Sequence, residues 1–551
     1  MGGAAMSAPA HPPLLRAPPF PWADARVSVA AAATEMPADP ATLFAAVREA
    51  RVGGRFWAEA AHLDAPPQTV IRPRAAADVD VIAAQDGLWI APDASAQWAR
   101  ALGGRQWLGD VDPWSVLPGA GRLIAHGDDE WVALARIAGV KVELLSPGPF
   151  GAPGDDDATL DRKAAQALCG ATWRDPFTGG RSDQRTAIDL LDLWRRNLEA
   201  NRPIAAACGM AWWKRKEIRR FLWHPARDLA IVRSPARALN IAGKAGGSVA
   251  IWPSRVSPAL LAEARGRGVP LVRVEDGFLR SVGLGVNLVP PSSVVVDASG
   301  IHFDPRAPSD LEAILAQGDI APGLIARAAT LRETIVRAGI SKYAADTAAS
   351  VPQRSPGKRL ILVPGQVEDD MSVLAGGGGV TSNLELLRRA RALEPQAEIW
   401  FRPHPDVDAG HRKGKVADAD ILTHADRIMR GGGMAPLLDV VDGVHVLTSL
   451  TGFEALMRGR DVTCHGTPFY AGWGLTRDLG GVPERRGRTL SLDALVAGVL
   501  ILYPRYLDPV TGLPCPPETL VARMASATAT NRLQWVAPLR RWQGKLMNAI
   551  R

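Results

Sequence analysis

From Asp228 onward, short apolar runs alternate with amphipathic stretches. Leu229-Ala-Ile-Val232, Ser248-Val-Ala-Ile-Trp252 and Val269-Pro-Leu-Val-Arg-Val274 read as strands, and residues 258–267 carry a helical period between the last two. A helical stretch over 324–338 leads to a second set: Arg359-Leu-Ile-Leu-Val363, Ala397-Glu-Ile-Trp-Phe401 and Gly443-Val-His-Val-Leu-Thr448. Helical segments at 384–393 and 436–441 separate these. Strand runs that alternate with helices predict parallel sheets covered on both faces. Residues 350–357, Ser-Val-Pro-Gln-Arg-Ser-Pro-Gly, read as the joint between the two sets. The predicted class is α/β, with two doubly wound domains facing across a cleft.

The chain also resembles itself. Trp131-Val-Ala-Leu-Ala-Arg-Ile-Ala-Gly139 runs on to Phe150 and then to Trp173-Arg-Asp-Pro-Phe-Thr-Gly179. Thr451-Gly-Phe-Glu-Ala-Leu-Met-Arg-Gly459 runs on to Phe469 and then to Tyr506-Leu-Asp-Pro-Val-Thr-Gly512. Two matches in the same order, a little over 300 residues apart, read as a repeat. The second copy has a long α/β stretch ahead of it and the first has little, so the first reads as the tail of a truncated module. The implied division is a loose N-terminus (1–22), a partial α/β module (23–180), a helical connector rich in Trp and basic residues (181–225), two nucleotide-fold domains (226–350 and 351–515) and a basic tail (516–551).

Composition narrows the classes. The chain has 551 residues, 47% hydrophobic and 22% charged, as globular proteins do. A net charge of +7 is too dilute to favour a nucleic-acid binder. Cys169, Cys208, Cys464 and Cys515 form no CxxC pair and read as reduced thiols. The N-terminus has no charged stretch leading an apolar core, so it reads as no signal peptide. The apolar run at 494–504 is about half the roughly 20 residues a membrane span needs. Met210-Ala-Trp-Trp-Lys-Arg-Lys-Glu-Ile-Arg-Arg-Phe-Leu-Trp223 fits an interdomain seam or a membrane surface. The tail after Glu518 lacks acidic residues, and Trp535 and Trp542 share a helical face, which suits an anionic bilayer surface.

Candidate chemistry sits where predicted strands end, the place where open parallel sheets bind ligands. Glu275 and Asp276 follow one strand, and either bind a ligand or cap a turn. Gly365-Gln-Val-Glu-Asp-Asp-Met-Ser372 crowds three carboxylates after another; such crowding raises a pKa or calls for a cation. The glycines at 376–379 fit a phosphate loop or a linker, and Ser382-Asn-Leu-Glu385 fits a capping box. In Arg402-Pro-His404-Pro-Asp406 a histidine is held stiffly beside an arginine, a pair suited to a phosphate. Ser449 and Thr451, at a strand–helix junction, fit phosphate contact or plain capping.

Together these motifs resemble the KpsC-type capsule polysaccharide biosynthesis proteins, which are retaining β-Kdo glycosyltransferases. The resemblance rests on Glu275-Asp-Gly-Phe-Leu-Arg-Ser-Val-Gly-Leu-Gly285, Pro291-Ser-Ser-Val-Val-Val-Asp297, Gly365-Gln-Val-Glu-Asp-Asp-Met-Ser372, Arg402-Pro-His-Pro-Asp406, Thr451-Gly-Phe-Glu-Ala455 and Pro468-Phe-Tyr-Ala-Gly-Trp-Gly474. It covers about 225–515 and is closest to the second of the two modules such proteins carry. It implies a GT-B-like pair of Rossmann-type domains that uses CMP-Kdo with no metal or other cofactor. The implied mechanism is double displacement, with Asp370 as nucleophile, Glu275 as acid/base and His404 on the CMP phosphate, supplemented by Ser449 and Thr451. Arg402, Gln366, Asp276, Arg280, Ser372 and Glu454 are the implied substrate contacts. The implied acceptor is a phosphatidylglycerol-type Kdo lipid at the cytoplasmic face of the inner membrane. A second Kdo transferase and the capsule export machinery are implied partners.

Residues 1–180 depart from the family pattern, lacking a Glu-Asp-Gly or acidic-Ser motif. They read as a degenerate, non-catalytic first module, in which Arg72-Pro-Arg74, 330 residues before Arg402-Pro-His404, holds the place of a lost histidine. Two other classes compete: a non-catalytic scaffold of the capsule assembly complex, and a GT-B-fold sugar-nucleotide epimerase or hydrolase. Glu275, Asp370 and His404, all intact, argue against a scaffold. A lipid-surface tail has no use in a soluble epimerase or hydrolase.

Overall fold

The computed structural model describes residues 12–30, 40–82, 87–91, 105–280, 289–342 and 352–526. The basic tail with Trp535 and Trp542, the 281–285 part of the Glu275 motif and the start of the 350–357 joint lie outside them. The chain forms two compact units: Met1–Arg202 with Leu222–Asp228, and Pro203–Phe221 with Leu229–Arg551.

In the first unit, β1 (Ser28–Ala30) pairs antiparallel with β7 (Ala171–Trp173). Between them lie β2 (Thr69–Ile71), β3 (Leu88–Ala91), β4 (Arg105–Leu108), β5 (Arg122–Ala125) and β6 (Lys141–Leu144). These five form a parallel sheet in the order β4-β3-β2-β5-β6. Its strands β2 and β3 are buried along their whole length. The stretch 12–22, expected to be loose, is packed. Leu14 and Leu15 are buried, and the Phe20 ring meets those of Trp22, Trp194 and Trp223.

The second unit holds two sheets. Its first contains β8 (Ile204–Cys208), β9 (Ala230–Ile231), β10 (Ser248–Ile251), β11 (Leu271–Asp276) and β12 (Ser293–Asp297). Its second is β13 (Leu360–Pro364), β14 (Glu398–Arg402), β15 (Arg427–Ile428), β16 (Gly443–Val446), β17 (Asp461–Cys464) and β18 (Arg477–Asp478), parallel throughout in the order β15-β14-β13-β16-β17-β18. The chain then returns as β19 (Pro504–Leu507) and β20 (Pro514–Cys515) to the first sheet, giving β20-β19-β12-β11-β10-β8-β9. That sheet is therefore mixed, because β12, β19 and β20 pair antiparallel. The supposed connector 181–225 supplies a helix to one unit (Gln184–Asn201) and β8 to the other.

The apolar run at 494–504 is an internal helical turn, with Leu495, Val496, Val499 and Leu500 fully buried. Among the described residues no helix is long and apolar enough to cross a membrane. All four cysteines are free and buried.

The internal repeat is structural. The first unit's sheet and β13–β17 wind the same way, each with its first strand central. The helices Trp131–Ala138 and Thr451–Met457 follow equivalent strands, β5 and β16. Asp175 and Asp508 close the same turn. Each takes the backbone N–H two residues on and a Thr hydroxyl three residues on through its carboxylate, and a Gly N–H four residues on through its carbonyl. Winding order corrects one expectation: Arg72-Pro-Arg74 ends the central strand β2, the equivalent of β13. The counterpart of Arg402-Pro-His404 would follow β3, at residues outside those described.

Candidate active site

A cavity of about 1200 Å³ opens in the second unit, lined by the carboxyl ends of strands from both its sheets. All the expected site residues line it except Arg280, which lies one shell behind. At the end of β11 the Asp276 carboxylate takes Lys214 Nζ on one oxygen and Arg280 Nε on the other, each at 2.8 Å. The two cations hold it well below the usual carboxylate range against the pull of burial. Glu275, beside it, is pushed up to about 7, chiefly by burial and then by the Asp276 charge. At neutral pH Asp276 is therefore ionised while Glu275 stands near its midpoint.

The acidic trio of 368–370 is dispersed by the fold rather than crowded. Glu368 accepts the Asn383 N–H at the start of the helix Asn383–Leu393, and Asp369 pairs with Arg412. Asp370 caps the helix Met371–Gly376, its Oδ1 accepting from the Ser372 N–H and hydroxyl at 3.0 and 2.7 Å. Among the described residues its Oδ2 has no hydrogen-bond partner. Gln366 ties the ends of β13 and β16 together: its amide donates to Thr448 Oγ1 and accepts the Thr448 N–H. Thr448 in turn donates to the Ser372 hydroxyl at 3.3 Å, so one network runs from the fork between β13 and β16 to Asp370. Of the 376–379 glycines, Gly376 and Gly377 are buried, a Cβ on Gly377 meeting two carbonyl oxygens at 2.5 and 2.6 Å, while Gly378 and Gly379 are exposed in the turn that follows. Ser382 caps its helix as expected.

His404 accepts the Asp406 N–H through Nδ1, which leaves the ring proton on Nε2. Burial pushes its pKa down, so it is neutral and presents an N–H. Arg402 lines the cavity and also supports a loop, its guanidinium donating to the Gly431 and Gly432 carbonyls at 2.7 and 2.5 Å. Ser449 and Thr451 bond each other, while Glu454, pushed up by burial, accepts the Lys342 backbone N–H. The Tyr470 hydroxyl donates to the Ser449 carbonyl, and Trp473 is fully buried against the Phe469 carbonyl. The Pro468–Gly474 motif is thus packing that carries Phe469 to the cavity wall. Asp297 is a buried hub as well, accepting from Ser299, Gly300, Asp310 and Tyr503.

Sequence reasoning missed Lys342, and it missed the role of Lys214, which sits 62 residues from Asp276. No local pattern announces either. His302 was also missed; it lines the cavity among Phe278, Phe303 and Phe469, and burial pushes it down to about 3.

The first unit has its own crevice, of about 390 Å³, at the ends of β2 and β5. Where the second unit has Thr448-Ser449 before its helix, this one has Asp128-Asp129-Glu130. Each carboxylate is matched: Asp129 to Arg72 at 2.6 Å, Asp128 to Arg74, and Glu130 to both ends of the Arg16 guanidinium.

Two nucleotide-type sheets with a polar cavity across their strand ends define a GT-B-like architecture. The family model for capsule polysaccharide biosynthesis proteins matches residues 248–344 and 325–506. The capsule polysaccharide modification protein LipA of Neisseria meningitidis serogroup A is 39% identical over 348 residues, 63% of this chain and 49% of that protein. The lipopolysaccharide-processing protein LpsZ of Rhizobium meliloti is 45% identical over 241 residues, 43% of this chain and 54% of that one. Among solved structures, a chain described as the beta Kdo 2,4 transferase of Thermosulfurimonas dismutans KpsC matches at 33% identity and a TM-score of 0.50, over 58% of this chain and 98% of that one. The chain belongs to the family of KpsC-type capsule polysaccharide biosynthesis proteins. It spans about half the length of the curated relatives it matches.

Proposed function

We propose that the chain is a retaining glycosyltransferase of capsule synthesis, moving Kdo from CMP-Kdo to a lipid-linked Kdo acceptor without a metal. The observation that carries this reading is the single cavity in which Asp370, Glu275 and His404 meet. Similarity to a solved Kdo transferase over 98% of its length supports it. In the first step Asp370 Oδ2 attacks the anomeric carbon as the bond to the CMP oxygen breaks, leaving a glycosyl ester. The departing phosphate needs donors more than a proton, which suits the His404 Nε2–H and the Ser449 and Thr451 hydroxyls. In the second step Glu275, poised near neutrality, takes the acceptor hydroxyl's proton while that oxygen displaces Asp370. Two inversions give net retention. A cytoplasmic membrane-surface setting, and cooperation with a second Kdo transferase and the export machinery, belong to the same reading.

A second assignment of the nucleophile rests on the Glu275–Asp276 pair. Neighbouring carboxyls whose proton affinities are pushed apart mark acid/base and nucleophile roles, and Asp276 is the one held ionised. Brief exposure to CMP-Kdo without acceptor, followed by intact-mass and peptide analysis, separates the two. We expect an adduct on the peptide holding Asp370, lost in Asp370→Asn together with CMP release. An adduct on Asp276 transfers the role to it. CMP release and full transfer by both Asp370→Asn and Asp276→Asn would overturn the covalent mechanism.

A further inference from the structure

His302 is a polar side chain in an aromatic setting. Its imidazole centroid stands 4.9 Å from that of Phe278, 5.5 Å from Phe303, 5.7 Å from Phe469 and 5.9 Å from Tyr503. Interplanar angles of 68° to 81° make each of these an edge-to-face contact. Ring Nδ1 is sealed among them, with no hydrogen-bond partner among the described residues. A sealed, unpaired nitrogen costs stability that a phenylalanine in the same place would not. Packing therefore does not account for a histidine here.

The side chain is only partly buried, and it lines the cavity. With Nδ1 sealed, the edge it presents there is the one that carries Nε2. Burial, with the Lys342 charge behind it, holds the ring neutral. Of the two neutral forms, the one with an orphaned buried N–H is the costlier, which puts the proton on Nε2. Phe278, Phe303 and Phe469 line the same cavity, so this part of its wall is three aromatic rings around one N–H donor. Pockets built that way take a ligand's apolar face and fix its orientation through the polar group. A sugar ring has such a face, with oxygens at its rim. Phe278 lies three residues past Glu275, which sets this wall beside the acceptor's base.

We propose that His302 is a sugar-binding residue of the acceptor side, its Nε2–H donating to an oxygen of the acceptor sugar whose apolar face lies on the Phe278 wall. This rests on the reading of the cavity as a Kdo transferase site. The donor's own sugar offers the same oxygens, and kinetics separates the two sources.

The test is steady-state transfer by the full chain from CMP-Kdo to a synthetic Kdo-terminated glycolipid, each substrate varied in turn. His302→Phe keeps a ring among the others and removes the donor. The KM for the glycolipid should rise about tenfold while that for CMP-Kdo moves less than about twofold. His302→Gln, whose amide nitrogen falls near the Nε2 position, should recover most of the loss. His302→Asn, whose nitrogen falls nearer Nδ1, should not. The denaturation midpoint of His302→Phe should equal or exceed the parent's, because a sealed and unpaired nitrogen has been removed. A lower midpoint with losses in both KM values marks a packing role and overturns the inference. An unchanged glycolipid KM in His302→Phe overturns it too, and a rise confined to CMP-Kdo overturns the acceptor assignment in favour of the donor's sugar. A parent chain that transfers nothing to the glycolipid overturns the reading of the cavity, and this inference with it.

Discussion

Glu275 owes its altered proton affinity to burial and to an ionised neighbour, and that neighbour is kept ionised by two cations from elsewhere in the chain. The direction of the shift gives a testable pH dependence. If Glu275 is the base in the second step, transfer to acceptor rises as pH climbs through about 7. Glu275→Gln should then remove that rise and let the donor adduct accumulate, because only the second step needs the base. Rapid-quench assays across roughly pH 5–9 read both effects, and an unchanged profile removes Glu275 from the role. The motif residues themselves were legible because each stands in a contiguous, chemically odd stretch. Their protonation was not, since desolvation and the Lys214–Asp276 contact exist only once the chain is folded. Gly452 makes a second point at this scale: a Cβ there would sit 2.2 Å from the Tyr470 hydroxyl. Gly452→Ala should cost about 1–3 kcal/mol by overpacking, read as a lowered denaturation midpoint.

Among elements, the helix Asp310–Gln317 and the segment around Arg486 form a clamp between the halves of the second unit. Glu312 Oε1 meets Arg486 Nε at 2.5 Å, with side chains 7% and 1% exposed, and Glu312 Oε2 meets Arg485 at 2.7 Å. Arg486 also donates to the Pro468 and Ala471 carbonyls, just behind Phe469 in the cavity wall. Glu312→Gln leaves a buried guanidinium uncompensated and should destabilise the chain by about 3–5 kcal/mol. Urea titration measures this, and a loss below about 1 kcal/mol would mean that the clamp contributes little. The strands and helices on either side were readable from apolar periodicity. The return of β19 and β20 to the first sheet was not, because a strand's run of residues does not name its partner.

On the scale of the molecule, the chain holds two units that share a strand winding. The first unit repeats the winding of β13–β17 and, at Asp175, the Asp508 turn, but it fills its crevice with its own charges. Asp128 and Asp129 stand where the second unit has hydroxyls, and they and Glu130 each already hold an arginine. An incoming phosphate would have to compete with those carboxylates for the arginines. Titration with CMP should therefore find one site per chain, lost on His404→Ala. A second stoichiometric site surviving that substitution would show that the first unit retains a nucleotide site.

Local patterns sufficed for the α/β class, the repeat and the four strand-end motifs, because burial period and motif chemistry are written in neighbouring residues. Folding alone decided which carboxylate stays ionised, that the 368–370 trio disperses, that Arg402 serves a loop and that Lys342 reaches the cavity. Each of these depends on groups far apart in the chain meeting where water is excluded, and a sequence read in order carries no record of that meeting.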